Sequence, residues 1–496
     1  MKKKTGTARR VFAFVITPAI ALYVALFAPL DPGNPQVTYT FCVGLLMAVW
    51  WITEVVPLAV TSLLPVPLFP LFGILDGKIV ASAYFNDVIF LFMGGFLVAL
   101  AMQRWNLHRR IALHILMITG VSAARILLGF MVASAFLSMW ISNTATAMMM
   151  LPIALSIISQ LESLSEDGQV SRFSTGMLLG IAYGASIGGT ATLVGTPPNL
   201  SFVRIFHICF PEAPEIPFSQ WMLFALPTAL LVFMLAWLIL WLMFRPNKEG
   251  WKGISRQYIR RLLVKQGKMS YQEKVVGVVF VLLALLWIFR ADLDFGTLVI
   301  PGWAGFLPYG HMLNDGSVAI FMAIVLFVIP SKTGKGSSIL DWKTASALPW
   351  HILLLFGGGF ALASGFKESG LSVWFGEQLT GVASFHPFVV ILCIALIMTF
   401  LTELTSNTAT TEMILPILAG IAVTTQINPL LLMIPATLSA SMAFMLPVAT
   451  PPNAIIFGTS RVTIAQMART GLALNLAGAL IITAMMYFWG RVVFGL

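Results

Sequence analysis

Two short polar strings sit inside otherwise apolar sequence, and both occur twice. Ser142-Asn143-Thr144-Ala145-Thr146 returns 264 residues later as Ser406-Asn407-Thr408-Ala409-Thr410, and each copy is followed by Leu-Pro-Ile, at 151–153 and 415–417. Thr196-Pro197-Pro198-Asn199 returns 254 residues later as Thr450-Pro451-Pro452-Asn453. Ser-Asn-Thr supplies two hydroxyls and an amide, groups that both donate and accept hydrogen bonds. At the start of a half-helix they join free backbone N–H groups and the positive end of the helix dipole, which together hold an anion without a formal cation. Pro-Pro removes two backbone donors and breaks a span, and broken backbone offers carbonyl oxygens to a hard cation such as Na⁺. An anion and a cation can therefore sit side by side. Neither motif contains Lys or Arg, so bound cations are expected to supply the neutralising charge. Two converging tips match a dicarboxylate, one carboxylate to each tip.

Other residues invite chemistry less strongly. Gly184-Ala185-Ser186-Ile187-Gly188 matches the G-x-S-x-G nucleophile elbow, which would make Ser186 the nucleophile of a membrane hydrolase. That motif needs a strand-to-helix turn with His and acid partners. Here it lies in an apolar stretch, where Gly176, Gly180, Gly184 and Gly188 recur every four residues, as on a close-packing helix face. The histidines, 108, 114, 207, 311, 351 and 386, show no metal-ligand spacing. Cys42, Cys209 and Cys393 form neither a metal motif nor a disulfide framework. Glu54, Glu403 and Glu412 fall within apolar runs, where an acid is a functional candidate by default. Glu403 adjoins the second tip and is expected either to brace or orient it or to carry a proton.

The elements that position these groups follow from composition. The 496 residues are 58% apolar and 10% charged, whereas soluble domains carry about 25% charged residues. A soluble enzyme and a disordered chain are both excluded, leaving an all-α polytopic membrane protein. Apolar segments run 11–30, 38–60, 62–75, 86–104, 174–195, 219–244, 275–290, 317–330, 351–366, 428–448 and 471–493, about eleven crossings at about 20 residues each. Two more, 124–158 and 387–425, are interrupted by the Ser-Asn-Thr strings and read as re-entrant hairpins. The net charge of +10 assigns sides. Lys2, Lys3, Lys4, Arg9 and Arg10 precede the first span. Arg104, Arg109 and Arg110, then Arg245 through Lys274 with Lys248 and Lys252 among them, then Lys332, Lys335 and Lys343, then Arg461 and Arg469, mark the other cytoplasmic loops. The N-terminus is expected inside and the C-terminus outside, in a bacterial inner membrane.

The two halves duplicate each other: Gly94-Gly95-Phe96 also returns as Gly358-Gly359-Phe360. Five spans per copy would invert the second, the inverted-repeat architecture of secondary transporters with the site near the midplane. The division expected is 1–35 for the tail and first span, 36–244 for the first repeat (hairpin 124–158, broken span 174–200), 245–274 for a basic linker, and 275–496 for the second repeat (hairpin 387–425, broken span 428–458).

At these residues the sequence resembles the divalent anion/Na⁺ symporter family, the sodium-coupled dicarboxylate and sulfate transporters. The two Ser-Asn-Thr motifs, the stretch 441–455 reading SMAFMLPVATPPNAI, and Trp51-Ile52-Thr53-Glu54 carry the resemblance. It implies eleven spans, two hairpins, a homodimer in lipid and an elevator mechanism. A scaffold of spans 1–4 and 7–9 would hold a moving domain of both hairpins and spans 5, 6, 10 and 11. By position it places one Na⁺ on Ser138, Ser142, Asn143 and Gly195, and a second on Thr402, Thr405, Asn407 and Ala449. Substrate contacts would be Asn143, Thr144, Thr196, Ser406, Asn407, Thr408, Thr450 and Pro451. Implied partners are a small dicarboxylate such as succinate, malate or fumarate and about two or more coupling Na⁺, with no organic cofactor and no nucleic acid. Dicarboxylate or citrate exchange and Na⁺/sulfate symport stay open within the same family.

Overall fold

A computed structural model describes residues 11–164, 169–246, 255–294, 299–332 and 338–496. Lys2, Lys3, Lys4, Arg9, Arg10, Lys248, Lys252 and Lys335, read above as loop charges, lie outside the described residues. Among the described residues the regular elements are helices, apart from a two-residue antiparallel pairing of Leu293–Asp294 with Val299–Ile300 and an isolated bridge between Pro330 and Ser338.

The first half comprises α1 (Phe12–Phe27), α2 (Pro35–Thr53), α3 (Leu58–Leu71), α4 (Asp87–Arg104), α5 (Leu107–Thr119), α6 (Ala123–Ser138), α7 (Asn143–Leu164), α8 (Gln169–Thr190), α9 (Pro197–Cys209) and α10 (Phe218–Phe244). After α11 (Arg256–Lys265), the second half has α12 (Tyr271–Ile288), α13 (Asp315–Val328), α14 (Trp350–Ser369), α15 (Leu371–Gln378), α16 (Pro387–Thr402), α17 (Asn407–Thr425), α18 (Pro429–Ala440), α19 (Pro451–Phe457) and α20 (Ile464–Phe494). Local sequence sets many of the starts. Asn34, Asn86, Asn314 and Asn428 accept from backbone N–H groups at the heads of α2, α4, α13 and α18. Ser270 with Glu273, and Thr463 with Gln466, form reciprocal capping boxes at α12 and α20.

Among the described residues, 7 helices are long and apolar enough to cross a membrane by length and composition. The segment expected as a span at 62–75 overlaps α3, one of the apolar helices of 10–17 residues. Pro65, Pro67 and Pro70 crowd it, and proline inside a helix removes a backbone bond. Glu54, read as an intramembrane acid, is exposed and caps the end of α2 in a left-handed conformation.

Matching elements recur in matching order. The hairpin α6–α7 precedes the interrupted pair α8/α9, and the hairpin α16–α17 precedes the interrupted pair α18/α19. The halves then exchange partners: α9 packs against α17 of the other half, while α19 packs against α7 and α8. Glycines permit the closest approaches. A Cβ at Gly184 or Gly188 would overlap the backbone of Met131 or Ala135, so α6 and α8 meet backbone to backbone. Gly357, Gly358 and Gly359 likewise admit Tyr84, the Ser62 backbone and the Glu412 carboxyl against α14.

Candidate functional site

Each hairpin tip is built on the same hydrogen bond. In the first, Ser138 Oγ at the end of α6 donates to Asn143 Oδ1 at the start of α7, at 2.5 Å. In the second, Thr402 Oγ1 at the end of α16 donates to Asn407 Oδ1 at the start of α17, at 2.6 Å. Ser138 and Thr402 occupy equivalent positions of the duplication, so a hydroxyl at either residue type pins the asparagine five residues on. The side-chain carbonyl of each Asn faces its own hairpin, and both asparagines are half-buried.

The interruptions come to the tips. At the first, Gly189 and Gly195 approach so closely that a Cβ on either would overlap the other's backbone or its surroundings. Those surroundings are Asn143 Oδ1 for Gly189 and the Ser138 carbonyl oxygen for Gly195. Ser138, Asn143, Gly189 and Gly195 thus bring carbonyl and amide oxygens into one shell, a donor set that fits a hard monovalent cation. Gly189 was not among the residues read from sequence; its signal was its place beside Gly188 on the small-residue face. Thr192 Oγ1 ties this loop to the tip by donating to the Met139 carbonyl at 2.5 Å. Ser142 caps α7 instead, accepting from Ala145 N at 3.2 Å.

At the second tip, Thr402 Oγ1 also reaches the Ala440 carbonyl at 2.9 Å, and Thr399 Oγ1 the Ser439 carbonyl at 3.3 Å. The end of α18 is therefore stitched to α16. Thr405 Oγ1 is engaged within its own turn, with the Leu401 carbonyl at 2.9 Å and Thr410 Oγ1 at 2.5 Å. Glu403 is a brace. Its Oε1 accepts from Met445 N at 2.8 Å and Asn475 Nδ2 at 2.7 Å, and its Oε2 from Leu446 N at 2.9 Å. Positions 403 and 446 are the equivalents of Met139 and Thr192, so the two halves join tip to interruption at the same place with different groups.

Of the eight expected substrate contacts, Asn143, Thr144, Ser406 and Asn407 are half-buried, Thr196, Thr408 and Thr450 are buried, and Pro451 is exposed. Thr196 and Thr450 stand immediately before α9 and α19, and Thr450 Oγ1 caps α19 by accepting from Asn453 N. Ala449 is buried beside it. The asparagines of the Thr-Pro-Pro-Asn strings turn inward. Asn199 Nδ2 donates to the Thr192 and Thr190 carbonyls at 2.7 and 3.2 Å, and Asn453 Nδ2 to the Ala443 and Leu446 carbonyls at 3.1 Å each. They hold the interruptions open.

A cavity of about 130 Å³ lies beside the first interruption. Leu193 of that loop lines it together with Asp87, Arg204, His207, Arg290 and Asp315. The hydrolase reading does not survive. α8 runs unbroken through Ser186, whose buried hydroxyl has no partner, and no strand leads into it. Among the described residues, no group of three or more His, Cys, Asp or Glu could hold a metal ion.

Residues 8–496 match the family model described as the sodium:sulfate symporter transmembrane region. The chain belongs to the sodium:sulfate symporter family. It is an integral membrane transporter, not an enzyme. Among curated members of this family, a sodium-dependent dicarboxylate transporter of Staphylococcus saprophyticus is 42% identical over 494 residues, covering 98% of this chain and 92% of that protein. One from Staphylococcus aureus is 44% identical over 501 residues, covering 100% and 94%. The fold is also similar to two solved transporters at much lower identity. The YdaH transporter of Alcanivorax borkumensis has a TM-score of 0.58 at 15% identity, covering 85% of this chain and 89% of that one. MtrF of Neisseria gonorrhoeae has a TM-score of 0.54 at 12% identity, covering 84% of each.

Proposed function

We propose that this chain is a Na⁺-coupled symporter of C4 dicarboxylates such as succinate, malate and fumarate. The observation that carries the reading is the pair of tips, where the same hydroxyl-to-asparagine bond recurs in both halves. The names of its Staphylococcus relatives supply the substrate class and the coupling ion.

In this mechanism, Asn143 and Thr144 at the head of α7 meet one carboxylate, and Ser406, Asn407 and Thr408 at the head of α17 meet the other. Thr196, Thr450 and Pro451 close the sides. Each tip presents helix-start N–H groups to an anion. Na⁺ held by Ser138, Asn143, Gly189 and Gly195, with Ser142 shaping the turn, offsets the charge beside one carboxylate. A second Na⁺ near Thr402, Asn407 and Ala449, with Thr405 shaping that turn, offsets the other. Substrate binds well only after the cations do, which couples the two. The loaded unit of both hairpins and α8, α9, α10, α18, α19 and α20 then moves against the remaining helices as an elevator. The protein acts as a homodimer in a bacterial inner membrane, with its N-terminus in the cytoplasm and its C-terminus outside.

Radiolabelled succinate uptake into empty proteoliposomes tests this. An inward Na⁺ gradient is expected to drive accumulation, with fumarate and malate competing more strongly than citrate or sulfate. Uptake that needs internal dicarboxylate, whatever the Na⁺ gradient, would assign exchange instead. Dominant competition by sulfate would reassign the substrate.

A further inference from the structure

Glu403 and Glu412, two of the buried acids of the second half, are partnered very differently. Glu403 receives three donors, as described above. Glu412, on α17, receives one: Ser201 Oγ on α9 donates to Oε1 at 3.0 Å, and Oε2 has no partner. Glu412 and Ser201 are both at 0% exposure. The missing Cβ of Gly359 on α14 leaves the space the carboxyl fills.

The charged groups on the surrounding elements are paired elsewhere, line the cavity or are exposed. Tyr84 donates its hydroxyl to the Ser62 carbonyl at 2.5 Å. Arg204 on α9 pairs with Asp87 at 3.6 Å, and Lys367 on α14 donates to the Ile208 carbonyl at 2.8 Å. His207 lines the cavity, while His351, Glu368 and Glu377 are exposed. Among the described residues, no Lys, Arg or His forms an ion pair with Glu412. One hydroxyl returns far less than it takes to hold a bare carboxylate in such surroundings. The site therefore calls for one unit of positive charge.

Two further observations give the site a role. The duplication does not require an acid here, because the equivalent residue of the first hairpin is Met148, which is exposed at 59%. The carboxyl belongs to the second half alone. The Ser201–Glu412 bond also joins α9 and α17 only about 6–8 Å beyond their first residues, at 1.5 Å per residue. Those starts carry Thr196 on one side and Asn407 and Thr408 on the other.

We infer that Glu412 and Ser201 form a third coupling-cation site, which binds one H⁺ or Na⁺ separately from the two tips. The inference rests on the symport reading above. When the site is loaded, the carboxyl is neutralised and α9 sits against α17, with both helix starts in place for substrate. When it is empty, the uncompensated charge favours an arrangement that brings it to water, and the two starts part.

The test is the charge moved per succinate, read from reversal potentials in proteoliposomes of the full-length protein and of Glu412→Gln. Glutamine keeps the shape and one acceptor oxygen but takes up no proton and has no charge with which to hold a cation in buried surroundings. The variant is expected to move one positive charge fewer than the wild type. If the occupant is H⁺, the wild-type reversal potential responds to an imposed pH gradient and that of the variant does not. If it is Na⁺, neither responds to pH, and the variant needs one Na⁺ fewer. Equal charge and equal ion dependence in the two proteins would overturn the site. A wild type without any Na⁺-driven uptake would overturn the symport reading instead. Should Glu412→Gln fail to fold, Ser201→Ala serves. Loss of a hydrogen bond to a charged group, worth about tenfold, is expected to shift half-maximal transport toward higher Na⁺ for a sodium site and toward higher pH for a proton site. An unchanged midpoint would overturn the proposal.

Discussion

Asn143 and Asn407 turn their side-chain oxygens back to Ser138 and Thr402 within their own hairpins, so the two asparagines are held in one orientation before any ligand arrives. Replacing either with Ala removes both the pinned acceptor and its amide donors. Hydrogen bonds to charged groups are worth about 1.5–3 kcal/mol, so each variant is expected to lower Na⁺-driven succinate uptake about 10- to 150-fold, while size-exclusion profiles stay unchanged. Uptake within twofold of wild type would remove these residues from the site. Ser186→Ala is expected to change nothing in transport, since its hydroxyl has no partner. The tip residues were legible in the sequence because the spacing within each motif is local: the pinning bond spans five residues. Gly189 and Glu412 were not legible in their roles. Gly189 acquires meaning only when Asn143 and Ser138 arrive beside it, and the partner of Glu412 lies 211 residues away.

At the scale of elements, the interruptions are secured by groups on other segments. Glu403 satisfies the N–H groups of Met445 and Leu446 in the second interruption. Each buried donor left unpaired costs about 1–3 kcal/mol, so Glu403→Ala is expected to lower the thermal unfolding midpoint far more than Glu403→Gln, which retains an acceptor oxygen. Similar midpoints for the two would show that the carboxyl does not brace the loop. The α6–α8 contact makes a second prediction. Gly184→Ala and Gly188→Ala place a methyl group into the backbone of Met131 or Ala135, and overpacking of this kind costs about 1–3 kcal/mol. Gly305→Ala, which meets nothing within 4 Å, is the matched control and is expected to melt as wild type. The four-residue glycine period announced a packing face in the sequence. Its partner helix was not announced, because apolar helices in lipid differ little in the faces they offer. Hydropathy marks α3 as apolar, while its three prolines each remove a backbone bond and keep it among the shorter apolar helices.

Across the whole molecule, long-range ion pairs anchor regions far apart in sequence. Arg110 on α5 meets Glu273 at the head of α12 at 2.9 Å, with side chains only 11% and 8% exposed. Asp315 at the head of α13 pairs with Arg290 at 2.5 Å and accepts from Phe218 N, at the head of α10, at 3.1 Å. Breaking a buried pair by removing one partner costs about 3–5 kcal/mol. Asp315→Ala is therefore expected to destabilise the purified protein by about that much, while Arg461→Ala, which opens the exposed pair with Glu162, changes its stability by less than about 1 kcal/mol. Comparable losses in both would mean that burial does not govern these contacts. The charges themselves were visible in the sequence as markers of sidedness, but which opposite charge each would meet depends on the tertiary arrangement.

The exchange of partners between halves, with α9 on α17 and α19 on α7, also bears on biosynthesis. Ser201 leaves the ribosome 211 residues before Glu412, an interval of roughly 10–40 s at about 5–20 residues per second. For most of that interval α9 is complete, but its partner α17 has not yet been made. Until the second hairpin emerges, the first half therefore holds its broken span without the helix that covers α9 in the finished protein.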